Sequence, residues 1–145
     1  MRVDRARQSL LLLWMGGTAV PALVVFLQTL IGRYGDDSLD AWTWLLPSVM
    51  PTLGLMIAVT LKGRSHTAEI PRFAVLLCGL LSASYLALVA ATILLQPFSR
   101  WTAVELFKLS HLWLAPTQAL LDATIASVFL SHAYPRATKR AKAVA

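Results

Sequence analysis

The sequence holds one cysteine, Cys78, in 145 residues. An internal disulfide, a CxxC redox pair and a cysteine zinc cluster are thereby excluded, and Cys78 reads as a small apolar packing residue in the third hydrophobic run. Charge is scarce too: 14% of the residues are charged, against about 25% in soluble domains. The sequence shows no metal-ligand cluster of His, Cys or carboxylates. Nothing in it implies a cofactor, a metal or an enzymatic activity.

What it has in abundance is apolar surface. The chain is 57% hydrophobic, with a mean hydropathy of +0.65. Four apolar runs, about 10–31, 44–61, 73–95 and 113–130, each approach the ~20 residues that a helix needs to cross a ~30 Å hydrocarbon core. The expected fold is an all-α integral membrane protein, a four-transmembrane-helix bundle filling residues 1–145 as one domain. The three loops and two tails that remain are too short for a soluble catalytic or sensing domain. Residues 1–30 also resemble a signal peptide, with three arginines before a hydrophobic run. That run outlasts a signal h-region of about 7–15 residues, so it is expected to stay as the first helix.

Basic residues near helix ends are retained on the cytoplasmic side. Arg2, Arg5 and Arg7, the middle-loop Lys62, Arg64 and Arg72, and the tail residues Arg136, Lys139, Arg140 and Lys142 all fall on one side of a four-span bundle. Both termini are therefore expected to face the cytoplasm, in a bacterial inner membrane. The two outer loops keep Arg33, Arg100 and Lys108, with Asp36, Asp37 and Asp40 in the first. Tyr34, Trp42, Trp44 and Trp101 cluster on that side, where rings favour headgroup level. The net charge of +6 then reflects topology and contact with anionic lipid rather than nucleic acid. The basic run RATKRAKA at 136–143 is a candidate dock for an acidic cytoplasmic protein partner.

Seven prolines punctuate the chain. Pro71, Pro97 and Pro135 mark span boundaries, whereas Pro21, Pro47, Pro51 and Pro116 lie inside spans, where each frees the carbonyl four residues earlier. Such a carbonyl needs another partner in lipid, and Thr18, Ser48, Thr52 and Thr117 stand near enough in sequence to serve. Pro21, Pro51 and Pro116 are the expected kink or hinge positions. The halves also echo each other: Gln28, Arg33, Tyr34, Trp44 and Pro47 match Gln96, Arg100, Trp101, Trp113 and Pro116 at nearly equal spacing, a tandem repeat of two helix pairs. Residues 98–111 are expected to lie at the outer interface as a short amphipathic piece before the fourth span, with Glu105 and Lys108 in water.

The fourth span carries the residues that need an explanation. At 100° per residue, His111, Gln118 and Asp122 share one helix face, and Ser110, Thr117, Thr124 and Ser131 form a second polar sector. An aspartate at mid-span costs about 2.5–3.5 kcal/mol on insertion scales, more than four leucines return at about 0.6 each. It is therefore not expected to face lipid. His111 and Asp122 lie about 16 Å apart along the helix, too far for a bonded acid/base dyad. The column suits a polar pore lining or proton path with Asp122 as the buried titratable group, and Tyr85, Ser82 and Ser84 on the third span are its expected hydroxyl partners. The opposing reading makes Asp122 a hydrogen-bonding glue between helices. Gly79, Ala83, Ala87 and Ala91, and Gly16 with Gly17, permit close helix packing within or between subunits.

Four thin helices enclose no pore of their own, so a pore requires a homo-oligomer with Asp122 near its axis. The leading expectation is a small oligomeric membrane pore or ion path, by analogy the membrane effector of a toxin-like or antiphage system operated by a cytoplasmic partner. The alternatives are a proton-coupled small-solute transporter and a non-conducting accessory or scaffold subunit.

Overall fold

The computed structural model describes residues 3–62 and 70–130. The basic positions Arg2, Arg64, Arg136, Lys139, Arg140 and Lys142, with Ser131 and Pro135, lie outside the described residues. Within them the chain forms four α-helices: α1 (Val3–Leu30), α2 (Ser38–Lys62), α3 (Arg72–Leu95) and α4 (Ala103–Leu130). Each is long and apolar enough to cross a membrane, as expected for a membrane protein. Pro21, Pro47, Pro51 and Pro116 all sit inside continuous helix.

Local chemistry sets the ends of these helices. α1 stops where Gly32 adopts φ 68°, and the Arg33 N–H reaches the Gln28 carbonyl at 2.9 Å while that of Gly32 reaches Thr29 at 3.1 Å. That pair of bonds is the Schellman closure that a left-handed glycine permits. α4 begins with a reciprocal capping box: the Thr102 N–H donates to the Glu105 carboxylate at 3.0 Å and the Glu105 N–H to the Thr102 hydroxyl at 3.3 Å. This box corrects the expectation for residues 98–111. They are not a separate interfacial piece, because a 3-10 turn covers Gln96–Phe98 and residues 103–111 are the opening turns of one 28-residue helix, about 42 Å long. Ala103, Phe107 and Ser110 hold those turns down by packing into the core.

α1 lies beside α2 and α3, and α4 lies beside the same two, so that α1/α4 and α2/α3 are the diagonals. The bundle therefore has a loop end, where 31–37 and 96–102 turn the chain, and a terminal end with the starts of α1 and α3. Buried positions recur mostly every three or four residues along each helix, for example Ala103, Phe107, Ser110 and Leu114, then Leu121, Ile125 and Phe129 on α4. Of the aromatic residues at the loop end, Trp44 and Tyr34 turn into the core, with Trp44 stacked on Phe107 at 4.6 Å, while Trp101 stays exposed. There Tyr34 and Trp44 both pack against the Phe107 ring. Cys78 is fully buried, in keeping with a packing role.

Gly17 meets a neighbouring helix: a Cβ there would lie 2.5 Å from Leu86 Cδ1 on α3. Gly16 and Gly79 face open space, and Ala83 and Ala87 are exposed. Within the chain these four do not mediate close packing, because the inward face of α3 is taken by Cys78, Ser82, Tyr85 and Val89.

Candidate functional site

The site grows from two prolines one turn apart on α2. Pro51 has no N–H, so the Pro47 carbonyl loses its helical donor. The side chain of Gln118 on α4 supplies a replacement, with Nε2 donating to that carbonyl at 3.4 Å. Gln118 Oε1 in turn faces the Tyr85 hydroxyl of α3 at 3.2 Å, and the same hydroxyl reaches the Ser48 carbonyl at 2.6 Å. A phenol carries one proton, so two acceptors compete for it. Tyr85 is fully buried and stacks on Trp14 of α1 at 5.9 Å, while the Trp14 indole donates to Ser82 Oγ at 3.1 Å. All four helices are thus tied at one level.

One turn further from the loop end, Thr52 Oγ1 of α2 donates to Asp122 Oδ1 of α4 at 2.7 Å. Thr52 is fully buried and Asp122 half-buried. Toward the loop end, the Trp44 indole donates to Ser110 Oγ at 2.8 Å and Ser110 donates to the Phe107 carbonyl at 2.7 Å. Beyond Trp44 a cleft of about 130 Å³ opens between α2 and α4, lined by Asp40, Thr43, Lys108 and His111 among others. In the other direction the buried side chains turn apolar, with Met56 and Val59 on α2 and Ile125 and Phe129 on α4. Between the loop-end cleft and Asp122 the seam carries polar groups at separate levels, Trp44–Ser110, Ser48–Gln118 and Thr52–Asp122, interleaved with buried Leu114 and Leu121; beyond Asp122 its buried side chains on α2 and α4 are apolar.

Three expectations change. Asp122 bonds Thr52 rather than Tyr85, Ser82 or Ser84: Tyr85 is engaged by Ser48 and Gln118, Ser82 accepts from Trp14, and Ser84 points outward. The hydroxyls near the prolines do not serve the freed carbonyls. Thr18, Ser48 and Thr117 each bond the carbonyl four residues before themselves, at 2.7, 2.8 and 2.6 Å, because that acceptor lies within reach of their own rotamers. His111 does not join the hydrogen-bonded network of Gln118 and Asp122; it is exposed on the cleft wall. Ser110, its neighbour, takes the inward place.

Sequence reading missed Thr52 as the partner of Asp122, and Trp14, Trp44 and Ser110 as members of the network. A signal existed for the first. Ser48 and Thr52 on α2, and Gln118 and Asp122 on α4, are matched polar pairs four residues apart on helices that run the same way. Among the described residues no three His, Cys, Asp or Glu side chains gather as a metal site. The chain matches no known protein family, no curated protein and no solved structure.

Proposed function

We propose that this chain is a subunit of a small oligomeric membrane pore or ion path, in which the α2–α4 seam conducts protons or small cations between the loop-end cleft and Asp122. The observation that supports the reading is the succession of polar levels along one seam, ending in the Thr52–Asp122 bond at 2.7 Å. Hydroxyl, amide and carboxyl groups replace water for a moving charge, and a phenol poised between two acceptors supports proton handover. The apolar stretch beyond Asp122 is the gate of this proposal. The single chain fills its own core, so the proposed path runs along the open edge of the seam, where half-buried Gln118 and Asp122 of α4 face fellow subunits of an assembly. Exposed Ala115, Ala119 and Ala123 beside half-buried Gln118 and Asp122 favour that face.

The orientation belongs to the proposal: both termini cytoplasmic in a bacterial inner membrane, with the basic C-terminal run engaging the cytoplasmic partner that operates a toxin-like or antiphage effector. The tandem repeat belongs to it as well. The two hairpins lie side by side, α1 along α3 and α2 along α4, but Trp44 is buried while its match Trp113 is 38% exposed, so paired residues have taken different packing roles.

The test is proton and cation flux through liposomes holding the purified protein, wild type against Asp122→Asn. Loss of about tenfold or more supports conduction through Asp122, and unchanged flux removes that residue from the path. A non-conducting scaffold subunit is the second reading, favoured by the in-chain partner that already satisfies one oxygen of Asp122; absence of flux in wild-type vesicles selects it. A proton-coupled carrier, with the cleft as its solute site, predicts proton flux only when solute is supplied.

A further inference from the structure

At the terminal end of the bundle, in the second turn of α1, Arg7 is a buried cation with too few partners. It is 7% exposed. Nη2 donates to the Phe129 carbonyl of α4 at 3.5 Å, the outer limit of a hydrogen bond, and the guanidinium lies 5.8 Å from the Phe129 ring centroid. Nε is fully buried and has no acceptor among the described residues. A guanidinium offers five N–H donors, and burial without an anion is among the costliest arrangements a side chain can adopt. Among the charged side chains described at this end, Arg5 and Arg72 are exposed and carry the same sign. Asp4 is exposed as well and gives Arg7 no hydrogen bond.

Depth says what supplies the missing anion. From Arg7 to Leu30, the last residue of α1, the helix rises about 34 Å, slightly more than the ~30 Å hydrocarbon layer. With Leu30 at one face of the membrane, Arg7 stands at the headgroup level of the other. We propose that Arg7 is a binding site for the phosphate of an anionic phospholipid. The long side chain swings from over Phe129 toward the headgroup layer and exchanges one weak carbonyl bond for a two-point, charge-assisted grip on two phosphate oxygens. The Phe129 ring and carbonyl hold the guanidinium while no lipid is bound. The site is independent of conduction along the α2–α4 seam.

The test uses the full chain in micelles, with lipid retention read by native mass spectrometry and thermal midpoint read on adding lipid. Phosphatidylglycerol is expected to be retained by the wild type and to raise its midpoint more than phosphatidylcholine does. Arg7→Gln is expected to lower phosphatidylglycerol affinity at least about tenfold, the worth of one charge-assisted bond. Arg7→Lys, which keeps the charge and loses the fork, should fall between and provides the readout if Arg7→Gln does not fold. Arg5→Gln removes an equal charge from the exposed surface and should bind as the wild type does. Equal retention by Arg7→Gln or Arg7→Lys and wild type, or equal losses in Arg5→Gln and Arg7→Gln, overturns the proposal. So does a midpoint shift reproduced by inorganic phosphate alone, which assigns the site to a soluble anion.

Discussion

Thr52→Val separates the structural duty of Asp122 from any conducting one. Thr52 is fully buried and donates to Asp122 Oδ1 at 2.7 Å, and valine keeps its shape while removing the donor. Hydrogen bonds between membrane helices average about 0.6 kcal/mol with a maximum near 1.7, and bonds to charged groups reach about 1.5–3 kcal/mol in water-soluble proteins. The short length and full burial of the donor place Thr52→Val at about 1–2 kcal/mol of destabilisation. Asp122→Asn retains a carbonyl oxygen at the accepting position, so it should cost less than about 0.5 kcal/mol, whereas Asp122→Leu abolishes the acceptor. A double-mutant cycle of Thr52→Val with Asp122→Leu should return a coupling of about 1 kcal/mol. Equilibrium unfolding in micelles gives these energies, and vesicle flux on the same preparations gives the second readout. If Asp122→Asn is as stable as wild type but has lost its flux, the carboxyl group takes part in conduction and not only in packing. A Thr52→Val effect below about 0.3 kcal/mol, or an Asn variant as unstable as the Leu variant, refutes the neutral-compatible bond on which this reasoning rests.

Two further substitutions probe the packing that positions the seam. Gly17→Ala puts a Cβ 2.5 Å from Leu86 Cδ1 and should cost about 1–2 kcal/mol as Leu86 shifts. Gly16→Ala meets nothing within 4 Å and should be neutral or stabilise by up to about 1 kcal/mol through helix propensity; equal effects of the pair in thermal unfolding would show that α1 does not approach α3 at Gly17. Pro51→Ala restores the N–H that the Pro47 carbonyl lacks, so the Gln118 amide becomes redundant there. Gln118→Leu should therefore cost about 0.5–1 kcal/mol less in the Pro51→Ala background than alone, and an unchanged cost in the same unfolding assay would remove the proline as the reason for that bond.

The sequence by itself determined that four helices are long and apolar enough to cross a membrane and which polar residues α4 carries, because length, hydropathy and the energy penalty on Asp122 are properties of single residues and their order. The Thr102–Glu105 box and the left-handed Gly32 that bound the helices were recognised only in the structure, and α4 starts ten residues before the apolar run at 113 because its first turns are held by buried Ala103 and Phe107. Only the tertiary structure decided which face of each helix turns inward. A soluble helix declares its core face by polarity, but here lipid is as apolar as the core, and Leu12, Leu76 and Leu80 face outward on the same helices whose Leu10 and Leu86 face in. For that reason Thr52 became legible as the partner of Asp122, Ser110 displaced His111, and the outward turn of Ala83 and Ala87 emerged only once α2, α3 and α4 were seen side by side.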